Sequence, residues 1–176
     1  PIRLVVLYGG QSAEHAVSCV SAAHVMRALD TTRYEVDPIA ITRDGSWVRS
    51  PAAVAALTAA PEDLPASLES AGDLLEPRAA LEPVQPGQQV VVIPVLHGPR
   101  GEDGSVQGLL ELADVPYVGT GVLGSALNMD KAMAKVVAGA IGIPQVRHIS
   151  VRDTAVDDGL ADRVAGELGW PVFVKP

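Results

Sequence analysis

Apolar positions along the chain alternate between strand-like runs and helical spacing. Residues 2–7 are almost unbroken apolar sequence closed by Tyr8-Gly9-Gly10, which predicts a strand buried on both faces, as in a parallel sheet. Ser12 is placed to cap a helix running to about Leu29. Tyr34–Ile41 reads as a second strand, and Asp44-Gly45 as a two-residue hairpin with Trp47-Val48 returning. Residues 90–96 form another buried strand ending at His97-Gly98. A Gly-rich loop follows, then a helix capped by Ser105 and running to about Ala113, and a short strand at Tyr117-Val118. Residues 125–140 predict a helix broken near 128–130 and stopped at Gly142. Residues 146–150 read as extended. Residues 158–168 read as helical, with Gly169 and Pro171 beyond. Residues 172–174 start a strand with no evident partner, so a second domain is expected to be cut short.

This alternation predicts an α/β fold with a doubly wound parallel sheet. In such sheets ligands sit beyond the carboxyl ends of the strands, which singles out the loops at 9–12 and 97–104. Length and composition agree: 176 residues suit one domain plus part of another, and a hydrophobic share of 48% excludes a disordered chain. The net charge of −8 leaves no basic footprint for nucleic acid. Residues 51–86 hold ten alanines, six prolines and six acids against the single base Arg78. That local −5 reads as a solvated insertion, with a short helix around 52–60. Cys19 is the only cysteine, so no internal disulfide or cysteine zinc site is possible. No apolar run reaches the roughly 18 residues of a membrane span. Residues 2–7 follow no basic leader, which predicts a cytoplasmic location.

Two loops carry candidate chemistry. In Gly9-Gly10-Gln11-Ser12-Ala13-Glu14-His15, the glycines admit close backbone approach and a helix start favours anions. Glu14 either complements the helix dipole, the commoner case, or faces the crevice and holds an ammonium group. Ser18 lies four residues on, expected on the same helical face. His15 reads as a surface or supporting residue and His24 as an ordinary helix residue. In the second loop, three glycines fall within residues 98–104. His97 is poised evenly between a substrate contact and a bond to a backbone carbonyl. Glu102 and Asp103 read as structural rather than metal-binding. Gly119-Thr120-Gly121-Val122-Leu123-Gly124 matches a dinucleotide fingerprint literally, but that fingerprint needs an acid about 20 residues on, where Ala140 stands. Lys131 opens a helix at its positive dipole end, a poor place for stability and a good one for a phosphate. Lys175 follows three apolar residues.

Taken in order, these motifs resemble the D-alanine–D-alanine ligases of the ATP-grasp superfamily. The resemblance rests on Gly9-Gly10-Gln11-Ser12-Ala13-Glu14-His15-Ala16-Val17-Ser18 and on Leu96-His97-Gly98-Pro99-Arg100-Gly101-Glu102-Asp103-Gly104-Ser105-Val106-Gln107-Gly108. Pro116-Tyr117-Val118-Gly119-Thr120-Gly121, Ser125-Ala126, Met129-Asp130-Lys131 and Val174-Lys175-Pro176 complete the set. Cys19-Val20-Ser21-Ala22 and the sequence from Pro94 to Pro99 look like the actinobacterial branch.

The resemblance implies a pre-ATP-grasp, Rossmann-like domain over 1–128 and the truncated start of an ATP-grasp domain over 129–176. It also implies a chemistry. ATP phosphorylates the carboxylate of one D-alanine, and the amine of a second D-alanine displaces the phosphate to give D-alanyl-D-alanine for peptidoglycan. By the same resemblance Glu14 holds the first ammonium, Ser18 supports it, and His97 lies beside the first carboxylate. Gly9, Gly10 and Gly98 line that subsite, and Lys131 and Lys175 contact ATP. The Mg²⁺ ligands, the lid and a catalytic arginine are expected beyond residue 176, so these residues alone are expected to be inactive. A homodimer through the N-terminal domain is implied as well. The other readings are a D-alanine–D-lactate ligase, a NAD-binding module on Gly119–Gly124, and a non-catalytic pairing module.

Overall fold

Five strands build one sheet in a computed structural model that describes residues 2–56, 63 and 65–175. They are β1 (Ile2–Gly9), β2 (Tyr34–Ile41), β3 (Trp47–Arg49), β4 (Asp73–Leu75) and β5 (Gln89–Pro94), in the order β4-β3-β2-β1-β5. β1 runs parallel to β2 and to β5, with Gly9 opposite Ile41 and Leu7 opposite Pro94. β3 pairs antiparallel with β2, and β4 antiparallel with β3. The sheet is therefore mixed: a parallel centre, as the strand–helix alternation predicts, with an antiparallel edge that begins at the expected β2–β3 hairpin. Pro38 sits mid-strand in β2 beyond the reach of β3, so its missing N–H removes no ladder bond on that side.

Both faces of the sheet are covered. One buries Val6 and Tyr8 of β1 against Cys19, Ala22, Ala23 and Met26 of α1 (His15–Ala28) and Ala53 and Ala56 of α2 (Pro51–Ala56). The other buries Val5 and Leu7 against Ala80 and Leu81 of α3 (Pro77–Leu81) and Val106 and Leu110 of α4 (Ser105–Leu112). Alternate residues of β1 thus feed opposite cores, which is why this strand reads as continuously apolar. Each buried side chain of Val or Leu size contributes about 1.5–3 kcal/mol.

Two compact units divide the chain, Pro1–Met129 and Asp130–Pro176. The first closes with α5 (Val122–Met129). The second holds α6 (Lys131–Ala140), a 3-10 turn at Asp153–Ala155 and α7 (Leu160–Glu167). Asp130 breaks α5 from α6 because its carboxylate accepts the N–H groups of Ala132 and Met133, each at 3.0 Å. α6 ends in a Schellman motif: Ile143 N–H donates to Ala138 O and Gly142 N–H to Gly139 O.

Several expectations are corrected by tertiary contacts. The β2–β3 connection is a three-residue loop, closed by Gly45 N–H to Thr42 O and Thr42 N–H to Ser46 O. Tyr117-Val118 contributes only a bridge from Tyr117 to Val92. α4 begins at Ser105 itself, with Gly104 in the capping position and Asp103 Oδ1 accepting from Ser105 N–H at 2.9 Å. Residues 51–86 are not a solvated insertion throughout. They supply β4 and α3, and they bury Leu68 against the α1 core. The expected helix at 52–60 is seen to Ala56, and 57–60 lie outside the described residues. Residues 172–174 join no ladder among the described residues, and Phe173 and Val174 are almost fully exposed.

Candidate functional site

The chain leaves β1 through α1 toward β2 on one side, while β5 flanks β1 on the other. The loops after β1 and β5 therefore part at the carboxyl end of the sheet, the topological switch point where α/β folds hold ligands. A crevice of about 360 Å³ opens there, lined by Gly10, Gln11, Ile41, Trp47, Leu96, His97, Arg100 and Leu109 among others.

Hydrogen bonds tie the two loops together. Ser12 Oγ accepts from Glu14 N–H at 3.1 Å and donates to His97 O at 2.7 Å. Arg100 Nη1 donates to Gln11 Oε1. Ser12 is thus a clasp and not the cap of α1, which starts three residues later with Glu14 in the capping position and no side-chain cap bond. Glu14 is exposed, and its carboxylate rests against Gly98: a Cβ added there would lie 2.7 Å from Glu14 Oε2. Glu14 thus meets the His97-Gly98 turn, 83 positions away in the chain, where the two loops part, and His97 of that turn lines the crevice.

Gly9 admits no side chain. Its φ is +90°, and a Cβ would sit 2.3 Å from Ile41 O, the carbonyl that accepts Gly10 N–H at 2.7 Å. Gly9→Ala is expected to cost about 3 kcal/mol, the upper end for backbone strain of this kind. Chemical unfolding read by buried Trp47 fluorescence checks it, and a loss below about 1 kcal/mol would show the turn to be compliant.

Ser18 does not face Glu14. Its hydroxyl is fully buried, accepting from Gly9 N–H at 2.7 Å and donating to Val95 O. Only the backbone links it to Glu14, through Ser18 N–H to Glu14 O. It staples the ends of β1 and β5 and is out of reach of a ligand. His15 is also buried, which leaves the supporting one of its two expected places: Nδ1 lies 2.7 Å from Gly10 O and Nε2 2.9 Å from Ser70 Oγ. His24 is exposed on α1.

The acids of the second loop are structural, as their sequence context suggests. Glu102 accepts Gly98 N–H at 2.7 Å, and Asp103 accepts Arg100 N–H at 2.8 Å. Burial pushes the Asp103 carboxyl up, but these backbone donors more than offset it and leave it below the usual carboxylate range. Among the described residues no three His, Cys, Asp or Glu side chains gather as a metal site would need. Burial raises the Cys19 thiol, which argues against a nucleophile.

Lys131 is the first residue of α6, but Asp130 already occupies two of the helix-start amides. The dipole argument for a phosphate at that terminus is weakened accordingly. Lys175 is exposed and, like Lys131, belongs to the second unit.

Sequence reasoning missed the Ser12 clasp, the Ser21–His97 contact at 3.1 Å, and an ion-pair cluster of Arg3, Asp37 and Arg49. The last had a signal, a charged residue inside each of two apolar strand patterns.

A family model described as the D-ala D-ala ligase N-terminus matches residues 3–120. The D-alanine–D-alanine ligase of Mycolicibacterium vanbaalenii is 46% identical over 99% of this chain, which covers 50% of that protein. The D-alanine–D-alanine ligase structure from Coxiella burnetii superposes with a TM-score of 0.69 at 31% identity. The VanG D-Ala:D-Ser ligase from Enterococcus faecalis does so at 0.64 and 30%. Each covers 96% of this chain and is itself covered over 50%. The chain thus spans about half the length of the relatives it matches.

Proposed function

The chain belongs to the D-alanine–D-alanine ligase family, and we propose that it supplies the first-substrate subsite of an ATP-dependent enzyme joining two D-alanines. The observation that carries this reading is the meeting of Glu14 with the His97-Gly98 turn at the switch point of the sheet. A D-amino acid is a zwitterion. Glu14 offers the counter-charge for its ammonium, and His97 offers a ring nitrogen for its carboxylate.

Holding the first amine as an ammonium also removes its lone pair, so it cannot act as the nucleophile. Gly9, Gly10 and Gly98 bring backbone close to the substrate. Ser18 is a positioning residue that keeps the two strand ends together. ATP, when bound, supplies the phosphoryl group that makes the carboxylate electrophilic, and catalysis then rests on positioning and charge neutralisation. Lys131 and Lys175 are assigned to ATP by family resemblance, with residues 129–176 as the start of the ATP-grasp domain. A cytoplasmic location, a place in peptidoglycan synthesis and pairing of two copies through the first unit belong to the same reading. Among the described residues no helix is long and apolar enough to cross a membrane.

Phosphate release from ATP by the full-length protein, with D-alanine, L-alanine, D-serine, D-lactate or no addition, tests it. Release that needs D-alanine and yields the dipeptide is expected. Hydrolysis indifferent to D-alanine would sink the reading. D-serine or D-lactate preferred as the second substrate would move it to a variant ligase.

A further inference from the structure

His97 is held at both ends by serines of the first strand–helix unit. Ser12 Oγ donates to its backbone carbonyl at 2.7 Å, and Ser21 Oγ on α1 lies 3.1 Å from its Nε2. Among the described residues the His97 ring is the only partner of the Ser21 hydroxyl, and Nδ1 has none. A neutral imidazole carries one proton, on one nitrogen. If Nε2 carried it, Nε2–H would donate to Ser21, the serine proton would lack a protein acceptor, and Nδ1 would show a bare lone pair. If Nδ1 carries it, Ser21 O–H donates to the Nε2 lone pair, so the serine proton has its acceptor and Nδ1–H is left free to donate to a ligand. The bond made by one ring nitrogen sets the state of the other.

We propose that Ser21 is a positioning residue that holds His97 in the Nδ1–H form, so that the ring presents a donor to the carboxylate of the first substrate. This rests on the ligase reading for its substrate but not for its geometry. A lone pair at Nδ1 would repel a carboxylate, whereas an N–H there binds it. The crevice that His97 lines is where that difference is felt. Ser21 itself touches no substrate.

The test uses the full-length protein labelled with ¹⁵N-histidine, at a pH where His97 is neutral. His97→Asn identifies its signals. Wild type is expected to show a pyrrole-type Nδ1 and a pyridine-type Nε2. Ser21→Ala is expected to move His97 toward the opposite form and to raise KM for the first D-alanine roughly tenfold, the worth of one hydrogen bond to a charged group. Its kcat should stay within about twofold, because the interaction is made equally in ground and transition states. Ser21→Thr keeps the hydroxyl and should restore both readouts. A pyridine-type Nδ1 in wild type overturns the proposal, as does a Ser21→Ala protein with unchanged KM or unchanged ring signals. The spectrum needs no substrate. A protein with the expected signals but no D-alanine turnover would overturn the ligase reading while leaving the Ser21–His97 pairing in place.

Discussion

Glu14→Gln in the full-length protein is expected to lower kcat/KM for the first D-alanine roughly a hundredfold, equivalent to about 3 kcal/mol for a charge pair cut at a closed site. The substitution keeps the shape and one carbonyl acceptor and removes only the charge. The ammonium would then be desolvated against a neutral amide, and its pKa would no longer be supported by a neighbouring anion. Folding should hardly respond. Glu14 is exposed, makes no side-chain cap bond, and contributes to α1 only through the dipole, about 0.3–1 kcal/mol. A large loss of activity with an intact unfolding midpoint is the signature of a binding role. Unaltered kcat/KM would remove Glu14 from the substrate and leave its carboxylate only the dipole role at the start of α1.

The parts of this molecule that were legible in the sequence are those fixed by local physics. Residues 2–9 and 34–41 declare themselves by apolar density, and both are strands in the structure. The break before Lys131 and the stop at Gly142 follow from capping chemistry that operates within four residues. What periodicity does not carry is the partner. Ser12 reads as a helix cap because nothing in the sequence says that its hydroxyl meets His97 O, 85 positions away. Ser18 has the right spacing to face Glu14, yet Gly9 N–H and Val95 O both claim its hydroxyl. β4 is three residues inside an acidic, proline-rich stretch, too short and too charged to show as a strand until β3 pairs with it. Residues 172–174 show the converse. Their composition is strand-like, but a strand exists only through its ladder, and none of the described residues provides one.

Asp37→Ala is expected to destabilise the first unit by about 3–5 kcal/mol, the cost of breaking a buried ion pair from one side. Asp37 on β2 is the shared partner of two arginines. Arg3 on β1 is 2% exposed and donates to it through both Nε and Nη2; Arg49 on β3 donates through Nε at 3.1 Å and Nη2 at 2.6 Å. Without the carboxylate, Arg3 keeps only the Glu82 carbonyl, at 2.7 Å from Nη1, and two like charges remain close across three strands. Arg49 is partly exposed and turns to solvent; Arg3 has no such route. For a domain of this size the loss corresponds to a fall in melting temperature of roughly 6–20 °C, read from Trp47 fluorescence. Replacing the ion pairs together, as Arg3→Met with Asp37→Leu, should recover most of it, because an apolar substitute of similar volume removes the desolvation problem altogether. The cluster runs from the amino end of β1 to the middle of β2, short of the loops that carry Glu14 and His97. KM for D-alanine in the folded fraction should therefore stay at its wild-type value. Asp37→Ala within about 1 kcal/mol of wild type would mean that Arg3 reaches water by a local rearrangement. A KM that rose with the loss of stability would mean that the strands transmit the damage to the crevice.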